Sequence, residues 1–276
     1  MTRKKSLASA KRYDRHLAEI VELYDEEIMY DPFHRAYMSH SGFSNFGYWD
    51  AKVHSQAQAC ERQVAELVAR WPRPTGRVLD VACGMGGSTH YLARYTPARN
   101  ITGINISEKQ LRSCRERAPG STFKQMDATQ LDLEDDSFNN VLCVEAAFHF
   151  RPRSKFLSEA FRVLAPGGGI ALSDILYTDD KVTSAAAYKT LLQQAGFTRI
   201  KVEDVTDACW NGFCRHVTRY ALDMLLAGEV KAELVQHYLE KWVFEIIPTV
   251  RSYLFVSAQK PKRAGRSRRG PQRARP

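Results

Sequence analysis

A regular alternation of apolar runs and helical patterns fills residues 76–175 and restricts the chain to few architectures. The apolar runs, at 77–82, 100–105, 121–126, 139–145 and 168–174, have the length of strands, and helical patterns lie at 88–95, 108–118 and 154–164. Strands joined by helices form parallel sheets through right-handed crossovers, with helices on both faces. The alternation therefore predicts an α/β fold with a doubly wound sheet.

Further elements are predicted on both sides of this region. Residues 13–70 have helical patterns interrupted by an irregular stretch at 31–50. After it, 185–195 is predicted to be a helix, 198–205 and 251–259 strands, and 208–245 two amphipathic helices separated near Gly228. We expect Phe213 and Trp242 of this last region to fill the core.

The net charge of +9 is concentrated in the two ends of the chain. Residues 1–15 carry +5 and residues 260–276 carry +8, so residues 16–259 carry −4. The ends have too few apolar side chains to build a core and are predicted to be disordered. A mildly acidic body is not the basic platform that binds nucleic acid, so a nucleic-acid partner is not expected.

The six cysteines include no pair with CxxC spacing, so no metal site is expected. No run of about 18 apolar residues predicts a transmembrane helix. The N-terminus has no apolar core of a secretory signal, so we expect a cytoplasmic protein with free thiols. The sequence does not decide between a monomer and a homo-oligomer.

The segment Val78–Thr89, VLDVACGMGGST, combines a strand, a carboxylate and a glycine turn. Doubly wound sheets bind ligands at the carboxyl ends of their strands, and Gly84 and Gly86 would let a ligand approach the backbone. The third glycine of a GxGxxG motif is missing, and Asp80 would repel a pyrophosphate. The segment therefore favours a ligand that carries a cationic amine.

Four segments together resemble the successive motifs of class I S-adenosylmethionine-dependent methyltransferases: DVACGMGGST, GINISEKQL, MDATQLDLEDDSFNNVLCVEAAFHF and FLSEAFRVLAPGGGIALSDIL. The resemblance covers about residues 42–205 and points to small-molecule enzymes, namely natural-product sugar O-methyltransferases and isoprenoid C-methyltransferases. It implies a Rossmann-like, seven-stranded, mostly parallel sheet with an antiparallel last strand, N-terminal helices and a helical insertion before the last strand. It also implies S-adenosylmethionine as cofactor, S-adenosylhomocysteine as product and a small-molecule acceptor.

The resemblance implies a cofactor site made of loops after successive strands. Around the methionine part it places Asp80, Ala82, Gly84 and Gly86, with Glu145 near the amine or in a structural role. At the ribose it places Asn105, where relatives usually have an acid, with Ile106, Ser107 and Gln110. At the adenine it places Asp127 and Ala128. The segment 45–50, NFGYWD, resembles one that closes over the cofactor, which implies roles for Tyr48 and Trp49.

The end of the fourth strand decides the chemistry of the acceptor. The sequence there is EAAFHF, not the Asn/Asp-Pro-Pro-Tyr box that grips a flat amino group in adenine and amide methyltransferases. His149 stands where sugar-methylating relatives place a histidine, and Asp174 where they place an aspartate. We interpret His149 as a possible general base and Asp174 as the group that orients it. A packed histidine with no proton to transfer is the alternative.

On this interpretation residues 16–259 form one methyltransferase domain. It divides into an N-terminal helical lid (16–70), a cofactor-binding core (71–205) and acceptor-covering helices with the last strand (206–259). Three other functions stay open: a C-methyltransferase for an isoprenoid or prenyl diphosphate, an RNA or protein methyltransferase that uses the basic ends, and a cofactor-binding partner without turnover.

Overall fold

A computed structural model describes residues 13–28, 32–38, 40–240 and 249–263 of the chain. Its helices are α1 (13–22, continued by a π-helical turn, Leu23–Ile28), α2 (Pro32–Tyr37), α3 (Gln56–Val68), α4 (Gly87–Leu92), α5 (Glu108–Arg117), α6 (Arg153–Val163), α7 (Ala185–Gln194), α8 (Gly212–Leu226) and α9 (Ala232–Leu239). Its strands are β1 (Val78–Val81), β2 (Ile101–Asn105), β3 (Thr122–Gln125), β4 (Phe138–Val144), β5 (Leu164–Tyr177), β6 (Thr198–Asp204) and β7 (Val250–Gln259).

Within the described residues the strands form a seven-stranded sheet in the order β3-β2-β1-β4-β5-β7-β6. Strands β1 to β5 pair in parallel, and β7 pairs antiparallel with both β5 and β6. The predicted mostly parallel sheet with an antiparallel last strand is confirmed. The order reverses at β1, so the loops after β1, β2 and β4 meet at one edge, where this kind of sheet binds ligands.

The sheet buries both of its faces. Successive residues of a strand point to opposite sides, so Leu79 of β1 packs in one core with α6 and α7, while Val78 packs in a second core with α3 and α8. The same alternation along β5 sends its even-numbered residues, such as Leu172, toward α6 and α7. This rule decides where Asp174 points.

Most predicted elements agree with the structure to within a few residues. Strand β5 is longer than the predicted 168–174 because its N-terminal part pairs with β4 across a register shift and its C-terminal part pairs with β7. The expected irregular stretch at 31–50 contains the short helix α2. Helices α8 and α9 confirm the two helices predicted after β6, although residues 241–248, which include Trp242, lie outside the described residues.

Parts of both basic ends are placed in the structure. Residues 13–15 belong to α1 and not to a disordered segment. At the other end Lys260 and Arg263 donate to the carboxylate of Asp136 at 2.7 and 2.6 Å. The remainder of the predicted disordered ends, 1–12 and 264–276, lies outside the described residues. None of the helices in the described part of the chain is long and apolar enough to cross a bilayer.

Candidate functional site

A cavity of about 340 Å³ opens at the carboxyl ends of β1 to β4. The loops after these strands form its floor, while residues 13–28, here called the cover helix, and the segment 42–46 lie over it. The predicted site residues that line the cavity are Ala82, Gly84, Asn105, Ile106, Gln110, Asp127, Ala128, Glu145 and His149. Those that do not line it are Asp80, Gly86, Ser107, Asp174, Tyr48 and Trp49.

The turn after β1 is held in shape by Asp80. The hydroxyls of Ser88 and Thr89, at the start of α4, donate to its carboxylate at 2.7 and 2.6 Å. Burial raises the pKa of Asp80 to about 6, against the lowering effect of these two hydroxyls. Ala82, Gly84 and two further glycines follow in a tight path, and Ala82 has a φ of 55°, a strained conformation for alanine. Asp80 thus shapes the turn, and the turn faces the cavity.

Asn105 ends β2 on the same wall. Its amide nitrogen donates to Gln110 Oε1 at 2.8 Å and, at 3.3 Å, to the main-chain oxygen of Gly84. Its amide oxygen accepts from the backbone N–H of Ser107. Ser107 caps α5 as predicted, because its hydroxyl accepts from the backbone N–H of Gln110. The NxSxxQ pattern therefore folds into one connected polar corner.

Asp127 follows β3 and closes a tight turn. Its carboxylate accepts from the backbone N–H and from the hydroxyl of Thr129, both at 2.8 Å. The Tyr13 hydroxyl of the cover helix reaches the same two residues, at 3.3 Å from Asp127 Oδ1 and 3.0 Å from Thr129 Oγ1. Ala128 is buried and lines the cavity beside this turn.

His149 lies in the turn after β4 and contacts the cover helix twice. Its Nε2 is 3.0 Å from the hydroxyl of Tyr24, and its main-chain oxygen is 2.9 Å from the ring of His16. Burial lowers the pKa of His149 to about 4. The neighbouring His16 and the positive charges of Arg151 and Arg153 also lower it. The imidazole is therefore neutral at neutral pH. Burial also raises the pKa of Tyr24 above its ordinary value, so its hydroxyl keeps its proton.

Asp174 does not orient His149, which corrects the expected pairing. It is fully buried on the face of the sheet that α6 and α7 cover, where its carboxylate accepts from Arg153 Nε at 2.7 Å and from the Tyr188 hydroxyl at 3.0 Å. The reason is the alternation of β5, which directs residue 174 toward α6 and α7. Arg153 also bonds Asp180 at 2.7 Å. Burial by itself lowers the pKa of the Arg153 guanidinium. The nearby carboxylates of Asp174 and Asp180 outweigh this effect, so the pKa is raised.

Glu145 connects the end of β4 to the cavity cover. Its carboxylate accepts from the backbone N–H of Phe46 at 2.9 Å, from Gln63 Nε2 at 3.1 Å, and from the hydroxyl of Tyr253. Burial raises the pKa of Glu145 to about 7, although these donors oppose the rise. Its three donors favour the structural role among those expected for it.

Tyr48 and Trp49 face away from the cavity. Trp49 stacks on His216 with ring centroids 4.1 Å apart, and Tyr48 packs near Phe255. The turn at Gly47, with a φ of 84°, separates these two rings from the preceding residues. The part of this segment that lines the cavity is 42–46, so the expected closing segment is displaced toward its N-terminal side. Phe213 is buried as predicted and also reaches the cavity wall.

The cover helix supplies functional contacts that the motifs did not predict. His16, Tyr24 and Asp25 reach the loops after β4 and β2. One signal for the cavity-facing side is present in the sequence, an apolar series at helical spacing made of Leu17, Ile20, Val21, Tyr24 and Ile28. That series predicts a buried face and does not identify its partners.

The sheet and this edge define a class of α/β proteins that hold a nucleoside-containing cofactor at the ends of parallel strands. A family model described as a methyltransferase domain matches residues 78–168. Methyltransferase GfsG of Streptomyces halstedii is 31% identical over 191 residues, which cover 59% of this chain and 68% of that protein. O-methyltransferase resE of Aspergillus sclerotiorum is 27% identical over 222 residues, covering 71% and 83%. The crystal structure of the cyclase SpnF shares the fold, with a TM-score of 0.66, 22% identity and coverage of 88% and 95%.

The chain belongs to the S-adenosylmethionine-dependent methyltransferase family, and the cavity has features that fit this cofactor. A Cβ added to Gly84 would have its nearest neighbour, Ser44 Oγ, 3.9 Å away, so the turn backbone faces open space. Side-chain amides of Asn105 and Gln110 lie beside it and can bond hydroxyl groups. We expect the turn to hold the methionine part, this corner the ribose, and the loop at Asp127 the adenine.

Proposed function

We propose that this enzyme methylates a hydroxyl group on an uncharged, largely apolar small molecule. The observation that carries the proposal is the chemistry around His149. Its neutral imidazole and the hydroxyl of Tyr24 lie 3.0 Å apart in the cavity wall. The same cavity has many apolar side chains in its lining: Leu17, Ile20, Val21, Ile28, Met38, Phe148, Phe150 and Phe213.

The charges of the cavity also support an uncharged acceptor. No lysine or arginine is among the described residues that line it. In the part of the chain that the structure covers, no group of three His, Cys, Asp or Glu side chains could hold a metal ion. A diphosphate would therefore enter an apolar space without a positive partner, which is costly. These features favour an alcohol or phenol over a prenyl diphosphate.

S-adenosylmethionine, when bound, supplies a methyl group already activated by its sulfonium. The task left to the protein is to place the acceptor oxygen in line with that group, which can contribute about 7–11 kcal/mol. His149 can accept the hydroxyl proton at Nδ1, provided that its Nε2 carries the ring proton and donates it to the Tyr24 hydroxyl. General-base catalysis of this kind typically contributes 10²–10⁴-fold. Tyr24 would hold the imidazole in place through its bond to Nε2, the orienting role that Asp174 does not fill. The apolar cover excludes water from the acceptor.

Matched acceptors test the proposal directly. We would incubate the enzyme with S-adenosylmethionine labelled in its methyl group and with geraniol, geranyl diphosphate plus Mg²⁺, and a set of simple phenols. Labelled ethers are the expected products, and geranyl diphosphate is expected to stay unmodified. Label on carbon would favour the C-methyltransferase alternative. Binding of S-adenosylhomocysteine without any transfer would favour a role other than methylation, as the fold of the cyclase SpnF allows.

With an accepted alcohol in hand, His149→Gln should lower kcat by about 10²-fold, because glutamine cannot take up the proton. The affinity for S-adenosylhomocysteine should stay within about twofold of wild type. Because burial lowers the pKa of His149 to about 4, kcat of the wild type should stay constant from neutral pH down to about pH 5. A histidine of ordinary pKa would begin to lose activity below about pH 6.5.

The exposed His237 provides the control, since His237→Gln should leave kcat and its pH profile unchanged. Equal kcat values for His149→Gln and wild type would contradict the assignment of His149 as the proton acceptor.

A further inference from the structure

A buried carboxylate reaches the ribose corner from a distant part of the chain. Asp25 lies in the π-helical turn of the cover helix and is only 5% exposed. Its two carboxylate oxygens accept from Ser107 Oγ at 2.6 Å and from Gln110 Nε2 at 2.8 Å. Ser107 and Gln110 belong to the NxSxxQ pattern after β2, 82 and 85 positions further along the chain.

The carboxylate of Asp25 helps to fix the orientation of the Gln110 amide, which lies next to the amide of Asn105. Because Asp25 can only accept, it requires the nitrogen of Gln110 to face it. The oxygen of Gln110 is then turned toward Asn105, whose nitrogen donates to it at 2.8 Å. The amide of Asn105 is held in this orientation by two backbone groups, since its nitrogen also donates to the carbonyl of Gly84 and its oxygen accepts from the N–H of Ser107. The amide of Gln110 is thus held from both sides, by Asp25 at its nitrogen and by Asn105 at its oxygen.

Asp25 also contacts the start of α5 through its position and its main chain. It lies at the N-terminus of α5, where unpaired N–H groups and the helix dipole favour an anion. Lys109 of the same helix donates to the main-chain oxygen of Asp25 at 3.0 Å and so holds the turn against α5. A buried polar group requires its hydrogen-bond partners, so Asp25 holds Ser107 and Gln110 in place as they hold it.

We propose that Asp25 is a positioning residue for the cofactor: by docking on Ser107 and Gln110 it holds the amide of Gln110, beside that of Asn105, in place for the ribose hydroxyls. The corner after β2 thus combines the amides of Asn105 and Gln110 with a carboxylate that the cover helix supplies. Tight binding of the ribose then depends on the docked cover helix. The proposal concerns the cofactor and holds for any acceptor, so it can fail while the proposed hydroxyl methylation stands.

The test measures ligand binding and needs no acceptor. Calorimetry would compare S-adenosylhomocysteine with its 2′,3′-dideoxy analogue on wild type, on Asp25→Asn and on Glu27→Gln, which alters an exposed acid of the same turn. We expect wild type to prefer the ligand with ribose hydroxyls by at least about tenfold, the scale of hydrogen bonds that involve a charged group. Asp25→Asn should lose most of this preference, whereas Glu27→Gln should keep it.

A second variant keeps the test decisive if Asp25→Asn folds poorly. Gln110→Met removes the amide through which Asp25 acts, so it should abolish the same preference. Adding Asp25→Asn to Gln110→Met should then change the preference no further. The proposal is overturned if Asp25→Asn weakens both ligands equally, which is the result for a residue that only anchors the cover helix. It is also overturned if the preference survives in either variant.

Discussion

His149 and Asp174 belong to the ends of neighbouring strands, yet their side chains have different partners. The turn after β4 brings His149 over the edge of the sheet, where it meets Tyr24. Asp174 is still inside β5, so the alternation of the strand points it down to α6 and Arg153. Proximity of strand ends alone could not distinguish these outcomes. The parity of the residue within its strand could have done so, because residues 170 and 172 are apolar core residues on the same face.

The position of Asp174 predicts a defect in stability and not in proton transfer. Asp174→Asn leaves the buried Arg153 with only one carboxylate, and removal of one partner from a buried pair typically costs about 3–5 kcal/mol. Urea unfolding should therefore show a large loss, while the folded variant binds S-adenosylhomocysteine as wild type does. Asp135→Asn is the matched control, because Asp135 is 73% exposed and its pair with Arg162 should contribute about 1 kcal/mol or less. Similar losses in the two variants would contradict the buried-pair interpretation.

Among the elements, the turn between β1 and α4 fits closely under the segment that covers it. Gly87 donates its N–H to the carbonyl of Gly42 at 3.1 Å, and a Cβ on Gly87 would lie 2.8 Å from that carbonyl and from Phe43. Gly84, three residues earlier, faces the open cavity instead. Two glycines of one turn thus differ in what they approach. Gly84 faces the space where we expect the ligand, and Gly87 allows the segment 42–46 to pack closely on the turn.

This difference predicts two distinct defects. Gly84→Ala places a methyl group in the space for the cofactor and adds about 1–2 kcal/mol of backbone strain at a φ of 55°. It should reduce affinity for S-adenosylhomocysteine more than tenfold with only that loss of stability. Gly87→Ala should instead displace the segment 42–46, costing about 1–3 kcal/mol and exposing the cavity to faster proteolysis near residue 42. Calorimetry, thermal unfolding and limited proteolysis would separate the two, and identical profiles would contradict the assignment.

The elements themselves could be predicted because their signals are local. Strand β2 was expected at 100–105 and is Ile101–Asn105, and Ser107 was correctly placed as the cap of α5. The contacts of the cover helix could not be predicted, since Tyr24 meets His149 across 125 positions. Periodicity identifies an apolar face, but a single sequence contains no information on which distant loop a polar residue of that helix will bond.

At the scale of the whole molecule, the composition of the cavity lining differs from that of the chain. None of the described residues that line the cavity is a lysine or an arginine, although the chain has 40 of them. Deleting residues 264–276, which removes five arginines, should leave cofactor affinity and transfer to a small acceptor unchanged at moderate salt. Lys260 and Arg263, which bond Asp136, are retained. Loss of activity in a filter-binding methylation assay would favour an RNA or protein acceptor.

A full-length variant with these five arginines changed to glutamine separates charge from chain length. It should behave as wild type with a small acceptor. If this variant and the deletion both lose activity on a polyanionic acceptor but keep it on a small acceptor, the C-terminal arginines act as a tether for that acceptor.

The cover helix is synthesised well before the loops that it contacts. His16 reaches the main chain of His149 only after 133 more residues have been synthesised, and β7 enters the sheet between β5 and β6 later still. At about 5–20 residues per second, the apolar face of this helix remains without its partner for on the order of ten seconds on the ribosome. Each newly synthesised molecule therefore exposes the apolar face of this helix to chaperones and to neighbouring chains before it can bind its cofactor. Synthesis at low temperature, which slows the ribosome, lengthens that exposure for the segment that later covers the cavity.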